Sequence, residues 1–145
     1  MVKTAFLHLL AGFLVGFLVL MGKIGWLSPL WWTRLPIHVD FVLLGWTMQL
    51  PMGVAFWLLP RFGAGATRGR ESFAWGAYLL LNLGVVLHVG GVAFGLPTIG
   101  VLGRIATFLS ALSFAVHAWP RVRQIENLPR DRKKIDEMLA ARGIR

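Results

Sequence analysis

The sequence predicts an all-α integral membrane protein: a four-helix bundle with both termini in the cytoplasm. Three observations predict it. Charged residues make up 14% of the 145-residue chain and apolar residues 57%, against about 25% charged in soluble domains. The uncharged stretches come in lengths near the ~20 residues that ~30 Å of hydrocarbon requires. The lysines and arginines recur at intervals that place most of them on one side of a chain crossing four times.

The elements follow in order. Thr4–Gly22 carries no charge. Lys3 before an apolar run is reminiscent of a signal peptide, but no small-residue cleavage site follows, so the stretch reads as a retained span. A loop with Pro29 and the pair Trp31–Trp32 leads into a second span over about 37–60. Pro51 inside it removes one helical hydrogen bond and predicts a kink. Arg61–Arg70 is a Gly- and Arg-rich turn. The next apolar stretch, Ser72 to Pro120, is too long for one span and right for two, over about 73–95 and 99–119, with Gly95-Leu96-Pro97 as the turn. Residues 1–120 form the membrane domain, and 121–145 a basic, partly helical tail.

Orientation follows from charge. Lys3, Arg61, Arg68, Arg70, Arg121, Arg123 and the tail cations share one side, leaving Lys23 and Arg34 opposite with Arg104 near them. The crowded side is cytoplasmic, which implies a bacterial or archaeal inner membrane. Trp26, Trp31 and Trp32 belt the outer face and Trp57, Trp75 and Trp119 the inner, while Trp46 lies deep. The net charge of +9 sits mostly in the Arg61–Arg70 turn and the tail, which points to anionic lipid and away from nucleic acid. In the tail, Arg130-Asp131-Arg132-Lys133-Lys134 opens a short helix with Ile135, Met138 and Leu139 on one side. A surface-lying amphipathic helix and a solvated tail both remain open. The absence of cysteine excludes disulfides, zinc–thiolate sites and thiolate-held iron–sulfur clusters.

Each span carries one histidine: His8, His38, His88 and His117. Ionisable residues inside a membrane are costly and mark functional sites by default. Each lies on its helix's small-residue stripe: Gly12 and Gly16 beyond His8, Gly45 and Gly53 with Gln49 beyond His38, Gly84 and Gly91 around His88, and Ser113, Ser110 and Ala106 before His117. Small residues admit either a neighbouring helix or a flat macrocycle. On the second reading one or two b haems are held by bis-histidine ligation. Depth pairs His38 with His88 as an outer iron site and His8 with His117 as an inner one. Arg34 and Arg104 then hold propionates. On the first reading the histidines hydrogen-bond across packed helices, and the arginines snorkel or pair with Asp40.

The segment from Leu35-Pro36-Ile37-His38-Val39-Asp40 through Gly45-Trp46 to Trp57-Leu58-Leu59-Pro60-Arg61-Phe62 resembles the second transmembrane helix of haem–copper oxidase and nitric oxide reductase subunit I. It is closer still to the small four-helix bacterial membrane proteins related to that subunit, as is Trp119-Pro120-Arg121-Val122-Arg123. The resemblance implies haem ligation by His38. The later helices that bear the copper ligands of the large enzymes are absent, so reduction of oxygen or nitric oxide is not implied.

The expected function is therefore a small cytochrome b-like electron carrier, exchanging electrons with quinone or a respiratory complex and forming homo-oligomers. The alternatives are a haem-free accessory or scaffold subunit of a respiratory membrane complex and a metal- or gas-handling protein. No Ser-His-Asp, paired-carboxylate or phosphate-loop constellation occurs.

Overall fold

The computed structural model describes residues 1–58, 71–126 and 132–143. Among them every regular element is helical. Helix α1 is Val2–Lys23. Helix α2 is the continuous helical run Pro29–Leu58. Helix α3 is Glu71–Phe94, α4 is Pro97–Glu126, and the short α5 is Arg132–Ala141. The first four are long and apolar enough to cross a membrane. The Arg61–Arg70 turn and the start of the basic run, Arg130-Asp131, lie outside the described residues.

The Gly95-Leu96-Pro97 turn forms where the sequence places it, but the expected loop over Pro29, Trp31 and Trp32 is already helical and belongs to α2, so the first connection is confined to the residues before Pro29. Gly25 (φ +83°) and Gly95 (φ +68°) adopt left-handed conformations that side-chain-bearing residues seldom take. After Gly25, Ser28 caps the next helical segment by accepting from Leu30 N. After Gly95, Pro97 opens α4, a position where its missing N–H costs nothing.

Helix α2 is not uniform. It begins as a 3-10 segment, Pro29–Arg34, continues as α-helix over Leu35–Val39, widens into a π-helical stretch over Asp40–Met48, and resumes α-geometry over Gln49–Leu58. Pro51 cannot donate to the carbonyl of Thr47. The irregularity expected at the proline appears just upstream of it, where Thr47 Oγ1 donates five residues back to Val42 O at 2.9 Å. Pro120 behaves differently from the expected terminator. Helix α4 runs through it to Glu126, and Arg121, grouped by sequence with the charges beyond the span, is instead fully buried.

The interior is built of small residues and the exterior of large ones. Ala5, Ala74, Ala77, Leu81 and Val85 are buried, while Phe6, Leu10, Phe13, Leu14 and Phe17 of α1 are each more than half exposed. Lipid is as apolar as leucine, so burying large side chains between helices gains little, and close backbone approach gains more. Helices α1 and α2 run antiparallel with Gly22 against Trp31, Gly12 against Val42 and Gly53 against Val2. Helices α3 and α4 form the tighter pair. A Cβ on Gly91 would lie 2.5 Å from Gly100 N, and one on Gly84 2.8 Å from Gly103 O. Met52 of α2, with Ala77 and Leu81 of α3, joins the two hairpins. Trp57, Trp75 and Trp119 are exposed at one end and Trp26 and Trp32 at the other, with Lys23 Nζ 5.0 Å from the Trp32 ring centroid. The deep Trp46 packs on Phe6 at 4.8 Å.

Adjacent glycines on α3 test this packing. Gly91→Ala should destabilise the protein by about 1–3 kcal/mol through overpacking. Gly90→Ala, with nothing within 4 Å of the new methyl, should be neutral or stabilising by up to about 1 kcal/mol. Unfolding of both variants in detergent micelles measures the difference.

Candidate functional site

Two residues apart on α2, His38 and Asp40 point to opposite neighbours. His38 turns to α1, where its Nδ1 donates to Gly12 O at 2.7 Å. Asp40 turns to the other hairpin and is 1% exposed. Its Oδ1 accepts from Arg104 NH1 at 2.7 Å, and its Oδ2 accepts from Nδ1 of His88. The glycines of the α3–α4 crossing make this cluster: Gly103, one residue before Arg104, lies against the backbone of His88. A buried carboxylate is tolerable only when paired and hydrogen-bonded, and both oxygens of Asp40 are engaged.

The cluster opens on one side. A cleft of about 410 Å³ is lined by His88, Gly91, Val92, Gly95, Pro97, Gly100, Val101 and Arg104. The Cδ2–Nε2 edge of His88 lies over Gly100, 3.5 and 4.0 Å from where a Cβ would stand. Among the described residues none hydrogen-bonds His88 Nε2. With Nδ1–H given to the carboxylate, a neutral imidazole presents the lone pair of Nε2 to the cleft.

The remaining histidines have other seats. His8 Nδ1 donates to Gly45 O at 3.2 Å, and its ring fills the space over Gly45, where a Cβ would come within 2.5 Å of it. The ring of His38 fills the space over Gly16 in the same way, at 2.6 Å. Each of these two helices thus offers a histidine to a glycine of the other. His117 is buried between Phe56 and Phe114, with ring centroids at 5.7 and 5.9 Å. Its Nε2 accepts from Arg121 NH1 at 2.9 Å, while Arg121 also reaches Phe56 O at 3.4–3.5 Å. Arg34 donates to the carbonyls of Val92 and Ala93 at 2.6 and 2.9 Å. It caps the last turn of α3, where orphan carbonyls and the helix dipole favour a cation.

These seats do not fit a haem held between paired histidines. The glycine spaces expected beside His8 and His38 hold the imidazoles themselves, Gly12 holds Val42, and Gly84 and Gly91 hold the backbone of α4. His117 has its Nε2 turned to a guanidinium, and Arg34 and Arg104 are engaged with carbonyls and a carboxylate. Among the described residues no group of three or more metal-ligating side chains assembles.

Sequence reasoning treated Asp40 only as a partner for an arginine and did not join it to His88. A single acid among four apolar spans was the available signal, since it must find every ionisable group within reach. Gln49, read from the sequence only as part of the stripe beyond His38, has partners of its own. It is buried, and its Nε2 donates to Met1 O at 2.9 Å and to Thr4 Oγ1 at 2.6 Å, with Thr4 in turn bonded to Tyr78. This network ties the start of α1 to α2 and α3.

No family model, curated protein or solved structure matches the chain. The likeness to haem–copper oxidase subunit I therefore stands on the sequence motif alone.

The triad has a characteristic mutational signature. Arg104→Met leaves the buried Asp40 carboxylate without its cation and should cost up to about 3–5 kcal/mol, whereas Asp40→Asn, which leaves only the half-exposed Arg104 unpaired, should cost less. Asp40→Asn combined with Arg104→Met removes both charges and should cost less than the two single losses together. A double-mutant cycle of detergent unfolding checks this, and strict additivity would mean the ion pair contributes nothing.

Proposed function

We propose that this chain is a haem-free, multi-pass membrane protein whose chemistry is proton transfer at the Asp40–His88 dyad. The observation that carries the reading is a buried carboxylate bonded to both Arg104 and His88, with the imidazole's far edge on an open cleft. The carboxylate paired with Arg104 orients His88 with Nδ1–H toward it. The Nε2 atom is then the acceptor through which a proton enters from the cleft, and Asp40 stabilises the imidazolium that forms.

The bilayer placement belongs to the same proposal. The cation count sets both termini and the Arg61–Arg70 turn in the cytoplasm, which puts the cleft in the outer half of a bacterial or archaeal inner membrane. The apolar exterior is the surface for lipid or for helices of a partner complex. Reporter fusions after Arg70 and at the C-terminus should both read cytoplasm, and a fusion at Ser28 should read the outside.

Nitrogen NMR of the histidine side chains in the full-length protein tests the chemistry. The neutral form of His88 should carry its proton on Nδ1 with Nε2 unprotonated, and the tautomer preference should be lost in Asp40→Asn. A neutral His88 that carries its proton on Nε2 would overturn the reading. Protein from haem-supplied cells should be colourless. A six-coordinate b-type spectrum that disappears in His38→Ala would instead establish the electron carrier that the His38 motif suggests.

A further inference from the structure

We infer that the cleft beside His88 binds a monocarboxylic acid through its carboxyl head and takes up one proton with it; the inference rests on the proton-transfer reading of the dyad. The cleft wall offers two unlike groups side by side. Among the described residues His88 Nε2 is an acceptor without a partner, and Arg104 reaches the cleft with NH1 on Asp40 and no other side-chain partner. Arg104 and Asp40 neutralise one another, so a neutral His88 leaves the cluster without net charge. A bare anion entering an apolar cleft then meets little compensation. An acid that delivers its proton meets full compensation. Its O–H bond breaks, the proton goes to Nε2, and the carboxylate faces both the new imidazolium and the free N–H groups of the guanidinium. Charge is conserved: a neutral acid and a neutral imidazole become an ion pair.

The rest of the cleft suits the body of such a molecule. Val92, Pro97 and Val101 supply apolar contact, and Gly100 leaves the Nε2 edge uncovered. About 410 Å³ accommodates a compact organic acid. Val101 is more than half exposed, so the cleft opens on the face that would meet lipid, and a fatty acid from the bilayer has the same head chemistry as a small acid from water. Among the described residues the charged groups at His88 are Asp40 from α2, with Arg104 from α4 behind it. Arg34 is turned to the carbonyls ending α3, and α1 bonds no charged group to it among the described residues.

Calorimetric titration of the full-length protein in micelles with benzoate and with decanoate tests this. Repeating it in two buffers of different ionisation enthalpy counts protons. The expected result is saturable binding with about one proton taken up per acid, weakened at least tenfold by Arg104→Gln. Proton uptake should vanish in His88→Gln, and Val101→Trp, which adds bulk on the exposed cleft wall, should block binding while the protein remains folded. Tighter decanoate identifies a bilayer fatty acid and tighter benzoate a small acid. No saturable binding of either, binding without proton uptake, or binding unchanged in Val101→Trp overturns the inference. If neutral His88 carries its proton on Nδ1 and no acid binds, only this inference fails; if it carries its proton on Nε2, the proton-transfer reading fails first.

Discussion

A carboxylate cannot stand alone among apolar helices. Asp40 is the constraint to which much of this protein answers. Both its oxygens need donors, and neither donor comes from its own hairpin. His88 and Arg104 lie on different helices of the second hairpin, and they converge only because glycines at 84, 91, 100 and 103 let α3 and α4 approach to backbone contact. The π-helical stretch begins at Asp40 itself, in keeping with the tendency of such segments to occur where a helix must aim a functional side chain. The α-helical turn before it sends His38 the other way, into α1.

The same economy governs the other polar side chains. Arginines meet the carbonyls near the ends of neighbouring helices: Arg34 at the end of α3, Arg121 at Phe56 in the last described turn of α2. Histidines 8 and 38 donate to carbonyls across the α1–α2 crossing. Helical carbonyls retain a second lone pair, so they accept such bonds without breaking the helix. These contacts give direction to a bundle whose apolar surfaces provide little preference for one partner over another.

Much of the architecture was legible in the sequence. Four long apolar helices, the Gly95-Leu96-Pro97 turn and the small-residue stripes depend on local chemistry, and all three appear in the fold. What fills a stripe was not legible. Gly16 and Gly45 announce that something comes close, but an imidazole from the facing helix and a macrocycle call for the same absence of side chain. Depth along a helix set His88 opposite His38. It did not reveal that the group across from it would be Asp40, because which face of α2 meets α3 depends on the π-helical stretch, a tertiary feature with only Pro51 as a local sign. Arg121 was misplaced for a related reason: a proline commonly ends a helix, and the partners that hold a buried arginine just after it include the distant carbonyl of Phe56.

The sharing of one ion pair between two hairpins also bears on how the chain is assembled. A first hairpin released alone into the bilayer carries an acid with no counter-charge, and a second carries an arginine in the same position. Each half is thus marked as incomplete by its own electrostatics. Association conceals both marks at once, so a membrane quality-control system that recognises exposed intramembrane charge can distinguish orphaned halves from the finished bundle.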